Sequence, residues 1–249
     1  MDVPADSCVI GKGQSAGEGR KLHCRLRNLR SLTNQPSRSP AVCEHRTGTR
    51  DVWALILAGG ASRRMGEPKL LLPAPRGNLL QQTMHQVLAG GNVRVAVITA
   101  EGGPLRREDT EGLPVEWLTT SQANRGLGAS LADGVRQLEE RYTPAAIQIV
   151  LGDQPEISPN AIRQVTEAFI QTGAWIVQAR YDDRPAHPVL FAAPLFPQLT
   201  ALAGDVGAKE LLQQYKEQIL EVKIPGPAPR DIDTPEEYAR YRLSAFSKS

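Results

Sequence analysis

The stretch WALILAGGASRRMGEPKLLLP (residues 53–73) passes from an apolar run into a glycine turn and then into basic side chains. Residues 52–58 are apolar at every position, which is typical of a strand buried on both faces of a parallel sheet. The glycines and charges come where this strand has to leave the core. Because ligands of open α/β sheets bind outside the carboxyl ends of the strands, this turn is the first candidate for a site.

Apolar runs alternate with segments of helical periodicity along the rest of the chain. Strands are predicted at 52–58, 94–99, 115–118, 147–151, 175–180, 189–191 and 220–224, and helices at 79–89, 127–140, 159–172, 194–203, 208–215 and 235–245. Pro159 and Pro235 each follow a Ser or Thr, a typical capped helix start. This alternation predicts a doubly wound, Rossmann-like α/β fold, with a mostly parallel sheet and helices on both faces.

Composition divides the chain into an extension and one domain. Residues 1–50 carry nine Lys or Arg against four Asp or Glu, and the total of +2 leaves −3 for the remainder. The extension is rich in Ser, Arg, Gly and Pro without apolar periodicity, so residues 1–50 are predicted to be a disordered basic extension. An Arg- and Ser-rich targeting peptide is the alternative, although Asp2 and Asp6 count against it. Residues 51–249 are predicted to form one folded domain.

Cysteine usage and hydropathy bear on the compartment and the partners. All three cysteines, Cys8, Cys24 and Cys43, lie within the first 50 residues. The domain therefore has no disulfide framework, and a reducing, cytoplasmic setting is expected. No apolar run approaches the ~18 residues of a membrane span. The basic excess lies in a segment without aromatic platforms, so neither a membrane nor a nucleic acid is expected as a partner.

The glycine turn has the chemistry of a phosphate site without being a familiar fingerprint. It matches neither the P-loop nor the G-x-G-x-x-G pattern. Its glycines let the backbone approach an anion closely, and Arg63 or Arg64 can pair with phosphate oxygens. Lys69 adds a mobile charge that can follow a leaving pyrophosphate, and Pro68 before it predicts a loop. The alternative is a structural turn with solvated arginines.

Two acidic segments are candidates for a metal site. Asp153 follows the apolar run 147–151, and an aspartate at the end of a buried strand suits Mg²⁺, which takes one or two carboxylates plus substrate phosphates. The alternative role for Asp153 is in a cap or turn. Asp231 and Asp233 precede a helix start that Thr234 is predicted to cap. Strand alternation is expected to point both side chains to one side, which leaves them equivalent at this point.

Between these segments, NRGLGASLADGV (124–135) places two glycines and a serine at a predicted helix start. Free N–H groups at a helix N-terminus bind anions. The alternative is that these glycines only loosen a loop.

These residues closely resemble the L-[AG]-[AG]-G-x-S-x-R-[MF]-G-x-x-K signature of the MobA-like nucleotidyltransferases, which include enzymes that attach GMP or CMP to molybdopterin. The resemblance implies an NTP substrate, Mg²⁺ as cofactor, and catalytic roles for Lys69, Arg64 and Asp153. It also implies metal ligation by Asp153 and by an acidic residue of D-I-D-T-P-E-E-Y, where Asp233 is favoured over Asp231. The implied nucleotide-binding residues are Leu57, Ala58, Gly59, Gly60, Ser62, Arg63, Gly66, Asn124, Gly128 and Ser130.

Two later segments bear on the acceptor and the base. RPAHPVLF (184–191) and GDVGAKELL (204–212) resemble the cytidylyltransferase subgroup, which implies His187 and Asp205 on the pterin side of the site. A packing role for His187 and a capping role for Asp205 are the alternatives. The LAGG sequence at 57–60 is more typical of guanylyl enzymes, but the later matches cover more residues and favour CTP.

Several functions follow from this resemblance. The favoured one is CMP transfer to molybdopterin, with a molybdenum hydroxylase or its maturation chaperone as the implied protein partner. The alternatives are guanylyl transfer to molybdopterin, cytidylyl or uridylyl transfer to a sugar or polyol phosphate, and a non-catalytic protein that delivers the cofactor.

Overall fold

The computed structural model describes residues 51–59, 65–91, 93–204 and 207–247. The strands in these ranges are β1 (Val52–Ala58), β2 (Pro73–Ala74), β3 (Gly77–Asn78), β4 (Arg94–Ala100), β5 (Val115–Thr120), β6 (Ala146–Leu151), β7 (Ile176–Arg180), β8 (Pro185–Ala192) and β9 (Ile219–Lys223). The helices are α1 (Leu79–Gly90), α2 (Leu127–Tyr142), α3 (Pro159–Thr172), α4 (Phe196–Thr200), α5 (Lys209–Gln214) and α6 (Pro235–Phe246). The predicted extension at 1–50 lies outside the described residues.

The main sheet has seven strands in the order β5-β4-β1-β6-β8-β7-β9. β5, β4, β1 and β6 are parallel to one another, β9 is parallel to β7, and only β8 among these strands runs antiparallel to both of its neighbours. The chain reverses between β7 and β8 over residues 181–184, which is too short for a parallel crossover. The predicted doubly wound, mostly parallel fold is confirmed.

β1 shows why its sequence is apolar throughout. Trp53, Leu55 and Leu57 belong to a core cluster that also contains apolar residues of α2, while Ala54 and Ile56 pack in the cluster that contains residues of α1. The strand is thus buried on both faces. The carboxyl ends of β1, β4 and β6 come together at one edge of the sheet, where the candidate residues follow.

The predicted elements and the observed ones differ in several places, including β8, which begins at Pro185 rather than at residue 189. The β2–β3 hairpin was not predicted, since two-residue strands carry no periodicity. The predicted helix at 194–203 is wrong in extent: a 3₁₀ turn, Ala193–Leu195, precedes the five-residue α4. Ser158 makes no side-chain capping bond to α3, whereas Thr234 accepts from the Glu237 amide and caps α6 as expected.

None of the helices within the described ranges is long and apolar enough to cross a membrane.

Candidate active site

Lys69 lies at the centre of a cluster of charges beside the carboxyl ends of β1 and β6. Its Nζ is 2.5 Å from Asp153 Oδ2 and 2.6 Å from Asp233 Oδ1, and its side chain is only 9% exposed. Lys69 begins a 3₁₀ turn, Lys69–Leu71, that Pro68 precedes. The expectation of a loop at Lys69 was therefore wrong, because the amides of Leu71 and Leu72 bond to the carbonyls of Pro68 and Lys69.

The turn that carries Asp153 is fixed by its neighbours on two sides. The Gly152 amide donates to Leu57 O of β1 at 2.9 Å, and a Cβ on Gly152 would lie 3.0 Å from that oxygen. Thr83 of α1 is fully buried, and its hydroxyl lies 3.0 Å from Gly152 O. The aspartate is thereby held at the edge where β1 ends, next to the start of the glycine turn.

Asp231 and Asp233 both reach this cluster, but through different partners. Asp233 pairs with Lys69, whereas Asp231 Oδ1 accepts a 2.7 Å hydrogen bond from Gln154 Nε2. The amide of Ile232 between them donates to Asp153 O at 3.0 Å. Residues 229–234 form no strand, so the expected alternation was wrong.

Gln154 was missed by sequence reasoning. Its only sequence signal is its place after Asp153, in the same G-D-Q-P turn. Through its bond to Asp231 it ties that turn to the C-terminal acidic segment.

The charged groups of the cluster shift one another's pKa values. Burial lowers the pKa of the Lys69 ammonium, but Asp153 and Asp233 outweigh this, so the net pKa lies above its ordinary value. Burial raises the pKa of the Asp153 carboxyl, and the nearby carboxylates of Asp231 and Asp233 act in the same direction against Lys69. Two carboxylates thus contact the ammonium and that of Asp231 acts on Asp153, so among the described residues these side chains carry more negative than positive charge, which suits a further cation.

The atoms of Asp153 allow the fit of a metal to be tested. Oδ1 is buried and has no hydrogen-bond partner among the described residues, although buried polar atoms are nearly always paired. An unpaired carboxylate oxygen is a ligand that a hard cation takes. Within the described ranges no three His, Cys, Asp or Glu side chains form a ready metal site. The residues therefore fit a metal whose coordination is completed by substrate oxygens.

The glycine turn begins against the start of α2. Leu57 and Ala58 are buried at the end of β1, and a Cβ on Gly59 would lie 3.2 Å from Ser130 Oγ. Gly66 has φ +72°, a conformation that glycine adopts without strain. The candidates Gly60, Ser62, Arg63 and Arg64 lie outside the described residues.

The three candidates at the start of α2 differ in their surroundings. Asn124 is exposed, while Ser130 is buried and its hydroxyl bonds to Gly126 O at 3.4 Å. The Gly128 amide donates to Gly204 O at 2.8 Å, so this amide is engaged within the protein and is not a free anion donor. The role of these three residues in binding nucleotide stays a prediction.

His187 lies in β8, on the strand that runs against its neighbours. The peptide bond to Pro188 is cis, and Tyr181 Oη donates to His187 O at 3.0 Å. Burial lowers the pKa of the imidazole to about 4, with Asp231 opposing and Lys209 adding to the shift. His187 is therefore neutral near pH 7 and can exchange hydrogen bonds with a ligand. Asp205 lies outside the described residues.

Comparison with known proteins identifies the family of the chain. A family model for the MobA-like NTP transferase domain matches residues 54–219, more than half of the chain. Purine catabolism protein PucB of Bacillus subtilis (strain 168) is 29% identical over 207 residues, which cover 76% of this chain and 94% of PucB. A probable molybdenum cofactor guanylyltransferase of Mycobacterium tuberculosis is 32% identical over 124 residues, or 49% of this chain and 59% of that protein.

Solved structures share the fold. Rv0371c of Mycobacterium tuberculosis H37Rv superposes with a TM-score of 0.65 at 26% identity, covering 76% of this chain and 97% of that one. The manganese complex of Rv0371c superposes with a TM-score of 0.60 at 25% identity, covering 78% and 99%. A similar protein of this fold thus binds a divalent metal.

Proposed function

The chain belongs to the MobA-like NTP transferase family and is a nucleotidyltransferase, and on that premise we propose that it transfers CMP from CTP to a molybdopterin-type acceptor. The observation that carries the proposal is the contact of Lys69 with Asp153 and Asp233. It joins three distant segments at the sheet edge where nucleotides bind in such folds.

The reaction needs no protein nucleophile. A phosphate oxygen of the acceptor attacks the α-phosphorus of CTP, the bond from that phosphorus to the bridging oxygen breaks, and pyrophosphate leaves with the bond electrons. Lys69 and Arg64 neutralise the charge that develops on the departing phosphates. Positioning and charge neutralisation supply most of the rate in phosphoryl transfer.

The proposed metal is Mg²⁺, held by Asp153 and Asp233. The unpaired Asp153 Oδ1 supports this choice, as does the manganese complex of Rv0371c. When bound, the ion neutralises negative charge on the nucleotide phosphates. Gln154 positions Asp231 beside this pair, and Thr83 holds the turn on which Asp153 lies.

The acceptor is proposed to lie on the side of His187 and Asp205. A neutral imidazole can donate one hydrogen bond and accept another, which suits the ring edge of a pterin. The HPVLF sequence around His187 supports CTP. GTP is the alternative, supported by the LAGG sequence at 57–60 and by the relative named as a probable guanylyltransferase. The molybdenum hydroxylase, the chaperone and the cytoplasmic setting remain proposals that follow from this acceptor.

The test is a matrix of NTPs and acceptors with pyrophosphate release as the readout. CTP and GTP are each combined with molybdopterin-type cofactor, a sugar phosphate and a polyol phosphate. We expect release with CTP and the pterin acceptor. Pyrophosphate release only with GTP would show that GTP, and not CTP, is the substrate. Release only with a sugar or polyol phosphate would show that the proposed pterin acceptor is wrong. Nucleotide binding without release under any condition would instead support a non-catalytic delivery protein.

A further inference from the structure

We infer that the Lys69 ammonium holds the Asp153–Asp233 carboxylate pair before nucleotide binds, and that a divalent metal gains this pair only when the triphosphate draws the ammonium away. Lys69 would thus be an internal cation that makes metal binding depend on nucleotide. The inference rests on the proposed function, because the metal and the triphosphate both belong to it.

The two ion pairs engage one oxygen from each carboxylate. Lys69 Nζ contacts Asp153 Oδ2 and Asp233 Oδ1 at 2.5 Å and 2.6 Å, so one ammonium bridges two side chains that lie 80 residues apart in the chain. An ammonium is a compact charge with three donors, which suits two carboxylate oxygens at once. The side-chain exposures of Lys69 and Asp153, 9% and 19%, mean that water screens the Lys69–Asp153 contact poorly, whereas the Asp233 side chain is 40% exposed.

A metal at the same carboxylates has to compete with this ammonium. Both cations are attracted to Asp153 and Asp233, and like charges held a few ångströms apart repel strongly where water is scarce. Asp153 Oδ1, which Lys69 does not contact, is buried without a partner among the described residues. The site thus retains affinity for a metal, but the metal must bind beside the ammonium or displace it.

Lys69 is able to move without disturbing the core. It stands at the first position of a single 3₁₀ turn, after the exposed residues Gly66, Glu67 and Pro68. Its four-carbon stem lets the ammonium shift while the backbone stays in place. A bound triphosphate offers several oxygens of higher charge and so competes for the ammonium. By thermodynamic linkage, nucleotide must then raise metal affinity, and metal must raise nucleotide affinity by the same factor.

The direct test measures Mn²⁺ binding without nucleotide, by the electron paramagnetic resonance signal of the free ion. We compare the full-length wild type, Lys69→Met and Lys223→Met. Lys223 is an exposed lysine on β9 and provides the matched control. We expect Lys69→Met to bind Mn²⁺ at least ~10-fold tighter than the wild type, within the usual range of coupling between sites. Lys223→Met should bind like the wild type.

A second pair of measurements locates the gain. Adding Asp233→Asn to Lys69→Met should remove most of the increase, because the released ligand is lost. Mn²⁺ should also raise the Tm of Lys69→Met more than that of the wild type, since a ligand that binds the folded state stabilises it. If Lys69→Met does not fold, Lys69→Gln is measured in its place with the same expectation.

Equal or weaker Mn²⁺ affinity in the folded Lys69 variant overturns the inference, and so does an increase that survives Asp233→Asn. These outcomes are separate from failure of the proposed function, which is read from pyrophosphate release by the wild type. A protein can release pyrophosphate and still show no gain of metal affinity in the variant, in which case only the inference fails.

Discussion

A cation from another element lies near each end of β1, Arg94 of β4 at the amino end and Lys69 at the carboxyl end, and the two have different surroundings. At the amino end, the Arg94 guanidinium lies 4.2 Å from the Trp53 ring centroid and 4.8 Å from that of Tyr142. It also pairs with Asp51 at 3.4 Å, and the Trp53 and Tyr142 rings stack at 4.4 Å. At the carboxyl end, Lys69 is buried between Asp153 and Asp233.

The two ends of β1 differ in whether their charged and polar atoms all have partners. At the amino end one cation meets one carboxylate, in contact with water, and Trp53 Nε1 donates to the same Asp51. At the carboxyl end Lys69 pairs with Asp153 and Asp233, the Asp231 carboxylate also acts on Asp153, and a buried oxygen of Asp153 has no partner in the described part of the chain. The first arrangement is complete and stabilises the fold. The second leaves a buried carboxylate oxygen unpaired among the described residues, which costs stability and is typical of functional sites.

Lys69→Ala is expected to have the largest effect of the variants that test this comparison. The proposed function assigns the ammonium to neutralising the triphosphate, so pyrophosphate release should fall by ~10³-fold, the scale found when a group that stabilises developing charge is removed. The readout is initial rate at saturating CTP and acceptor. Circular dichroism checks that the variant is folded.

Lys223→Ala is the matched control for that loss, since it removes an exposed lysine on β9. Its rate should equal that of the wild type. A wild-type rate in Lys69→Ala would show that Lys69 takes no part in the reaction. It would also contradict the interpretation of the carboxyl end of β1 as an active site.

Comparing the reaction rates of Asp233→Asn and Asp231→Asn separates the roles of the two aspartates at the carboxyl end of β1. Asp233 contacts Lys69, while Asp231 accepts from Gln154, so of the two only Asp233 contacts the ammonium and is the proposed metal ligand. Asp153→Asn should abolish metal-dependent pyrophosphate release and serves as the reference. The rate of Asp233→Asn should fall by ~10²-fold, and that of Asp231→Asn should fall clearly less. Dependence of rate on Mg²⁺ concentration is the readout. A larger loss in Asp231→Asn would reverse the assignment.

The sequence predicted the fold well where burial dictates the pattern. β1 is apolar throughout because both faces are covered, and α3 has the bounds that its periodicity indicates. The antiparallel direction of β8 follows from its four-residue link to β7, whereas the predicted strands at 175–180 and 189–191 left eight residues between them. The interruption before α4 follows from Pro197, which has no N–H to donate into the preceding turn.

The candidate site was less accessible from sequence, because its contacts join segments that periodicity treats separately. The sequence indicated that Lys69 and Asp153 share a sheet edge, but not that one ammonium bridges Asp153 and Asp233. It also could not separate Asp231 from Asp233, since their partners depend on how the irregular segment docks on Asp153 through the Ile232 amide.

His187 extends the comparison to the dependence of stability on pH. Its pKa of about 4 in the folded protein lies below the ordinary value of 6.5 because the ring is partly buried. Between these values the unfolded chain binds more protons than the folded one, so stability falls as the pH falls through this window. Thermal unfolding from pH 7 to 4.5 should show a smaller loss for His187→Gln than for the wild type. An equal loss in the variant would assign the effect to other groups.

Arg94→Ala should have the smallest effect, because it removes only the contacts of Arg94 at the amino end of β1. Its side chain is 54% exposed, so the ion pair with Asp51 adds little, and the contact with Trp53 is worth ~0.5–1 kcal/mol at an exposed site. We expect a loss of about 1 kcal/mol in the free energy of urea unfolding and no change in pyrophosphate release. If the two ends of β1 differ as argued, Lys69→Ala gives the opposite result, with lost turnover in a folded protein. A reduced rate in Arg94→Ala would mean that the amino end also acts on the site, and the distinction between the two ends would fail.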